Sequence, residues 1–129
     1  CWSQVVLEHV YREEFPMLLS ELRRVMSSEG VSVHSIDFRD HLGGGLNNLR
    51  LSNYFWESRL GRTSGFYTNR LRPQEILNLM TAAGFDIEVV NATKWPSMPI
   101  SRHQLAKQFQ HLDDSDFMVA EIEVVMRPR

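Results

Sequence analysis

The sequence predicts an α/β domain with about four strands in one sheet and three main helices. Three observations carry that expectation. A strand–helix–strand order runs from Val5 to Phe38, a second helix leads straight into a strand across Pro73–Ala92, and an apolar strand closes the chain at Phe117–Met126. A β-helix-β order favours a parallel pair with a right-handed crossover.

Val5-Val6-Leu7 is a short continuous apolar run, as expected of the end of a buried parallel strand. Phe15, Leu18, Leu19, Leu22, Val25 and Met26 recur at helical spacing and predict an amphipathic helix over roughly 12–27. Glu13 and Glu14 at its start and Arg23 and Arg24 at its end suit the helix dipole, and Gly30 is placed to stop it. Val31–Phe38 is strand-like. Residues 39–72 break the pattern with Gly43-Gly44-Gly45, Gly61 and Gly65 among Tyr54, Phe55, Trp56, Phe66 and Tyr67. A connection of that length predicts a lid or binding segment, with a short helix within 46–58.

Pro73 suits a first helical position, Ile76, Leu77, Met80 and Ala83 give the helix a buried face, and Gly84 ends it. Phe85–Ala92 is strand-like and Thr93–Pro99 a loop. Ser101 with Gln104 forms a capping-box pattern for a short helix to about 111. Asp113, Asp114 and Asp116 mark an acidic turn, and Val119, Ile122, Val124 and Val125 are the candidate core of the last strand.

The 129 residues fit one domain, 1–129, and such a chain buries enough surface to need no disulfide or metal staple. At 43% hydrophobic and 23% charged residues the composition is globular. The single Cys1 excludes an intrachain disulfide and a cysteine zinc site, and a cytoplasmic protein is the default expectation. No run of 18 apolar residues is present, so no membrane span is expected. The chain opens inside an apolar strand without an initiator Met, which suggests a fragment of a longer protein.

Several chemistries are disfavoured. In Gly43-Gly44-Gly45-Leu46-Asn47-Asn48, Asn48 stands where a dinucleotide loop needs its third glycine, and no acid follows about 20 positions on. A P-loop run and a G-x-S-x-G elbow are both absent. His34, Asp37, Asp40 and His41 cluster near a strand end, but alternation sets His34 and Asp37 on opposite faces, so no metal site is expected. Proton handling by Asp37, Asp40 or His41 fits better, because α/β sheets bind ligands at the carboxyl ends of their strands. Residues 39–72 carry six arginines against Asp40 and Glu57, a net +4, while the rest carries eight basic and fourteen acidic side chains. Arginines among aromatics suit an anionic small molecule or carrier, or a nucleic acid, but an isoelectric point near 6.2 argues against a dedicated nucleic-acid binder.

Three segments in order resemble the carboxyl-terminal half of a class I S-adenosylmethionine-dependent methyltransferase of the type 11/12-like group. Ser3-Gln4-Val5-Val6-Leu7-Glu8-His9-Val10 is similar to the family's exit from its fourth strand. Leu22-Arg23-Arg24-Val25-Met26 with Gly30 resembles the L-x-R-V-L-x-P-G-G helix end, with Ser28-Glu29-Gly30 replacing P-G-G. Tyr67-Thr68-Asn69-Arg70-Leu71-Arg72, a helix and Ala83-Gly84-Phe85 resemble the substrate-side segment and the turn into the next strand.

The resemblance implies a Rossmann-like half-sheet whose last strand inserts antiparallel between its neighbours. It also implies S-adenosyl-L-methionine as cofactor, contacted by Ser3, Gln4 and Val5 with Glu8 and His9 nearby. Weak or absent binding is expected of these residues alone, because the family's glycine-rich loop and ribose-binding acid are not among them. The acceptor would be a small or carrier-linked molecule, with His41 and Asp40 as candidate bases and Tyr67, Asn69, Arg70 and Arg72 orienting it. Two other classes stay open: a non-catalytic domain that self-associates through an exposed sheet edge, and a basic-aromatic nucleic-acid module. An open first strand also predicts a homodimer with residues 1–10 at its interface.

Overall fold

Four strands, β1 (Trp2–Gln4), β2 (Ser32–Asp37), β3 (Phe85–Lys94) and β4 (Val119–Pro128), form one sheet in the order β1-β2-β4-β3 in the computed structural model, which describes residues 1–129. β1 and β2 run parallel, and β4 runs antiparallel to both β2 and β3. The last strand in sequence thus lies inside the sheet, as expected. A register shift at Val89/Asn91 and another at Thr93/Lys94 interrupt the β3–β4 ladder.

Five α-helices accompany the sheet: α1 (Phe15–Val25), α2 (Asn53–Trp56), α3 (Arg59–Arg62), α4 (Pro73–Ala82) and α5 (Asp114–Phe117). Only α1 and α4 are long, and they contact each other. Along β2 and β4, buried and part-exposed residues alternate, so one face of the sheet is packed. Ile36, Ile122, Val124 and Met126 on that face meet Phe15 and Leu19 of α1 and Ile76 and Met80 of α4. Burying each of these side chains contributes roughly 1.5–3 kcal/mol. No helix is long and apolar enough to cross a membrane.

The first strand differs from its expectation. Pairing ends at Gln4, and Val5 turns out of the strand at φ 53°, a left-handed conformation rare for a β-branched residue. Val5 and Val6 are therefore exposed, and only Leu7, in the 3-10 turn Leu7–His9, enters the core. In α1, Phe15 and Leu19 are buried as expected, whereas Val25 is exposed. The capping-box pattern at Ser101 yields two 3-10 turns, Arg102–Gln104 and Lys107–Phe109, with no side-chain cap.

The segment 39–72 is not one lid. Leu46 and Leu49 join Ile100, Leu105, Phe109 and Phe117 in a second apolar cluster, and the Ala106 amide donates to the Leu49 carbonyl. Residues 67–73 are buried throughout. Between these anchored stretches, α2 and α3 project Tyr54, Phe55 and Leu60 into solvent. They are held close by Gly61, where a Cβ would fall 2.1 Å from the Trp56 carbonyl oxygen.

Candidate functional site

Because β1 and β2 are parallel, the segments leaving their carboxyl ends emerge at the same end of the sheet. The turn Leu7–His9 follows β1, and the loop carrying His41 follows β2. Leu7 and Glu8 point inward while His9 points out. The His9 and His41 rings meet edge-to-face, their centroids 5.1 Å apart and their planes at 66°. His9 Nδ1 lies 3.2 Å from the Tyr67 carbonyl oxygen. A carbonyl only accepts, so Nδ1 carries the hydrogen and Nε2 of the neutral ring keeps its lone pair. This gives an exposed imidazole held in one tautomer.

Asn69 holds that turn in place. Its Nδ2 donates to the carbonyls of Leu7 at 2.8 Å and Val10 at 3.0 Å, and its main-chain amide donates to the Glu8 carbonyl at 2.7 Å. Asn69 Oδ1 accepts the Leu71 amide. At 1% exposure, Asn69 positions His9 from beneath and does not face solvent.

Asp40, expected beside His41 as a base, is taken up by the loop. Oδ1 accepts the Leu42 amide at 3.0 Å and the Gly45 amide at 3.2 Å, and Oδ2 accepts the Asn48 amide at 3.2 Å. Its carboxylate closes the turn through Gly43 and Gly44, both at positive φ. At this corner the two imidazoles are exposed side chains.

Arg70 and Arg72, expected to orient an acceptor, are interior. Arg70 is 4% exposed. Its Nη1 donates to the Asn48 and Leu51 carbonyls, its Nη2 donates to Asn53 Oδ1, and its guanidinium lies 5.1 Å from both the Trp56 and Phe109 rings. Arg72, 1% exposed, ties together the carbonyls of Phe38, Asp116 and Val119. Burial pulls both guanidiniums down to about 10, which still leaves them charged at neutral pH. Arg39 pairs with Asp37 and Glu121, and Arg62 with Glu13 and Glu57. Of the six arginines, only Arg50 and Arg59 remain without a carboxylate or a buried role.

Tyr67 is buried as well. Its hydroxyl donates to Glu57 Oε2 at 2.9 Å, and its ring stacks on Trp56 at 6.1 Å and meets Tyr11 edge-on at 5.2 Å. Burial first, and Glu57 second, push its hydroxyl far above the usual tyrosine range. What this residue gives the site is its carbonyl oxygen, on His9. Glu8 is 4% exposed, and neither carboxyl oxygen finds a hydrogen-bond partner. Burial raises its pKa above the ordinary 4.5.

Ser3 and Gln4 are divided by the pleat. Ser3 Oγ bonds His34 Nδ1 at 2.7 Å, and the Ser32 hydroxyl bonds the opposite ring nitrogen. This buried imidazole clasps β1 to β2, and burial lowers its pKa. The Val5 amide donates to Ser35, and its carbonyl accepts nothing within the chain. Ladder alternation turns the Gln4 main-chain groups toward the open edge. The carbonyls of Gln4 and Val5 are acceptors of the kind an ammonium group takes, so the main chain here fits the amino end of the cofactor that the resemblance implies. Glu8, turned inward, does not reach that edge.

No three His, Cys, Asp or Glu side chains converge on a position that would hold a metal ion. The His9–His41 contact could not be anticipated from sequence, because the two residues lie 32 positions apart on different loops. Glu57 and Trp56, which complete the network under Tyr67, carried no motif signal. No protein-family model matches the chain, and the search of curated proteins finds no match.

Proposed function

We propose that the chain is the carboxyl-terminal half of an S-adenosylmethionine-dependent methyltransferase acting on a hydroxyl-bearing acceptor, with His9 as general base. The observation that carries this is the sheet order β1-β2-β4-β3 with β4 antiparallel inside it, the arrangement implied by the resemblance of Ser3–Val10, Leu22–Gly30 and Tyr67–Phe85. The open carbonyls at Gln4 and Val5 and the imidazole at the same end of the sheet support it. When bound, the cofactor supplies an electrophilic methyl group. His9 Nε2 accepts the acceptor's hydroxyl proton, and the Tyr67 carbonyl, bonded to Nδ1–H, stabilises the imidazolium that results. General-base catalysis of this kind is worth about 10²–10⁴-fold. His41 packs edge-to-face against the base.

The test uses the protein extended to whatever precedes Cys1 in its gene. It is expected to bind S-adenosylmethionine and methylate a hydroxyl, and His9→Ala is expected to lower turnover by about 10²–10⁴-fold while leaving cofactor affinity nearly unchanged. Failure of the extended protein to bind the cofactor, or turnover indifferent to His9, overturns the proposal. The 129-residue chain alone is expected to bind the cofactor weakly or not at all, and low-micromolar binding by calorimetry would refute the assignment to a half-site.

A second proposal rests on β1, a three-residue edge strand beside exposed Trp2, Val5 and Val6. Such an edge pairs readily with another chain, so we propose self-association there. Light scattering is expected to give twice the chain mass, reverting to the monomer in Val5→Lys. A monomeric mass for the unaltered chain removes this proposal.

A further inference from the structure

The largest cavity, about 570 Å³, is a groove between α4 and the segment that precedes β4, away from the His9–His41 corner in its lining. Three connections build it. Arg12 comes from the segment after β1, Asn53 from the segment after β2, and Gln108 to Asp116 from the segment after β3. Those three strands run in the same direction, so the three segments leave the sheet at one end, and the groove runs from there along α4, from Gln74 to Ala82 just ahead of β3.

Its chemistry is specific. Four carboxamides, Asn53, Gln74, Asn78 and Gln108, line it, and their groups are only partly committed within the chain. Gln74 Nε2 donates to Asn78 Oδ1, and Gln108 Nε2 donates to Asn53 Oδ1 and the Leu51 carbonyl. Left free are the Asn78 Nδ2 hydrogens and the Oε1 acceptors of Gln74 and Gln108. The Asp113 carboxylate and the His111 ring make no hydrogen bond in the chain, and Asp116 uses only Oδ1, on the Gln74 amide. Arg12 is neutralised by Glu75. Leu79, Ala82 and Leu112 supply an apolar floor.

Free acceptors from Gln74, Gln108, Asp113 and Asp116 and the free Asn78 donors thus share the rim of an apolar floor. A hydroxyl both donates and accepts, so vicinal hydroxyls satisfy carboxamides and carboxylates together. A phosphate would meet Asp113 and Asp116 with Arg12 already paired. A polyamine would use the carboxylates and leave the Asn78 donors idle. We propose that this groove binds a neutral polyhydroxylated ligand of the carbohydrate class. It does not rest on the methyltransferase proposal, because neither His9 nor His41 lines the groove.

The test is saturation-transfer NMR on the 129-residue chain, without S-adenosylmethionine, using glucose and maltose as probes and inorganic phosphate and spermidine as charged competitors. Transfer to a sugar is expected, with affinity at least fivefold weaker in Asp113→Asn and in Asn78→Ala. Both positions are exposed, and an unchanged thermal midpoint verifies folding. Absence of sugar binding, sugar binding indifferent to both variants, or displacement of sugar by spermidine or phosphate from the groove would each overturn the proposal. Since no cofactor is present, such failure leaves the methyltransferase proposal to the extended-protein experiment. A cofactor-blind extended protein that still binds sugar in the groove would separate the two in the other direction.

Discussion

Residues 53–66 and residues 67–72 are adjacent in sequence, and both mix arginine with aromatic side chains, yet they have opposite fates. The first stretch forms α2 and α3 and leaves Tyr54 93% and Leu60 75% exposed, while the second is buried along its whole length. The difference lies in what reaches them. Arg70 and Arg72 are met by main-chain carbonyls at or beside the ends of short elements: Asn48 and Leu51 for one, Phe38, Asp116 and Val119 for the other. A guanidinium presents five donors in a fixed fork, so one side chain gathers several such carbonyls. These arginines belong to the fold's interior wiring rather than to a substrate surface.

The sharpest way to break this contrast is Arg72→Ala. Orphaned carbonyls at Phe38, Asp116 and Val119 are expected to cost about 3 kcal/mol in urea unfolding, because each buried group left unpaired costs ~1–3 kcal/mol before water compensates some of it. Arg72→Lys should recover only part, since an ammonium cannot span three carbonyls in a plane. A loss below 1 kcal/mol would mean that the carbonyls find other donors. Arg70→Ala follows at about 2 kcal/mol, partly through lost packing on Trp56 and Phe109. Asn53, already exposed, softens that loss.

Glu8 sharpens the comparison through pH. Its folded pKa is raised, so above the unfolded value of 4.5 the folded state holds more protons than the unfolded one, and stability falls as pH rises through that window. Glu8→Gln is expected to flatten this descent in denaturation series from pH 4 to 7 and to be the more stable protein at the upper end. A parallel pair of curves would show that Glu8 stays ionised. The smallest effects belong to the exposed stretch. Tyr54→Ser and Leu60→Ser should each shift stability by less than about 0.5 kcal/mol, and thermal melts that moved further would show that α2 and α3 bury these residues against something.

Local signals read the helices well. Pro73 and Gly84, at φ 92°, bound α4 as expected, and Phe15 and Leu19 mark the packed face of α1. The class of the sheet and the inward place of its last strand were legible too. The strand expected at Val5–Leu7 lies three residues earlier because apolar content alone does not reveal where a chain leaves a ladder. At the candidate site, His41 and His9 were legible as residue types, but their contact and the His9 tautomer depend on Tyr67, 58 positions away. The interior roles of Asp40, Arg70 and Arg72 were hidden for the same reason. Charge in a sequence says nothing of which distant carbonyl or amide will meet it.

The inward place of β4 governs the order in which this domain is assembled on the ribosome. β2 and β3 share no ladder, so until Val119–Pro128 has emerged, the two have nothing to pair with across the gap between them. The nascent chain must keep Ile36, Phe85 and the α1 and α4 faces waiting while the last ten-residue strand is made. The closing contacts, Arg129 amide to Gly84 carbonyl and Arg23 to the Arg129 carbonyl, are then the latch set after insertion. A premature stop before Val119 would release a chain with two sticky strand edges, a natural client for holdase chaperones.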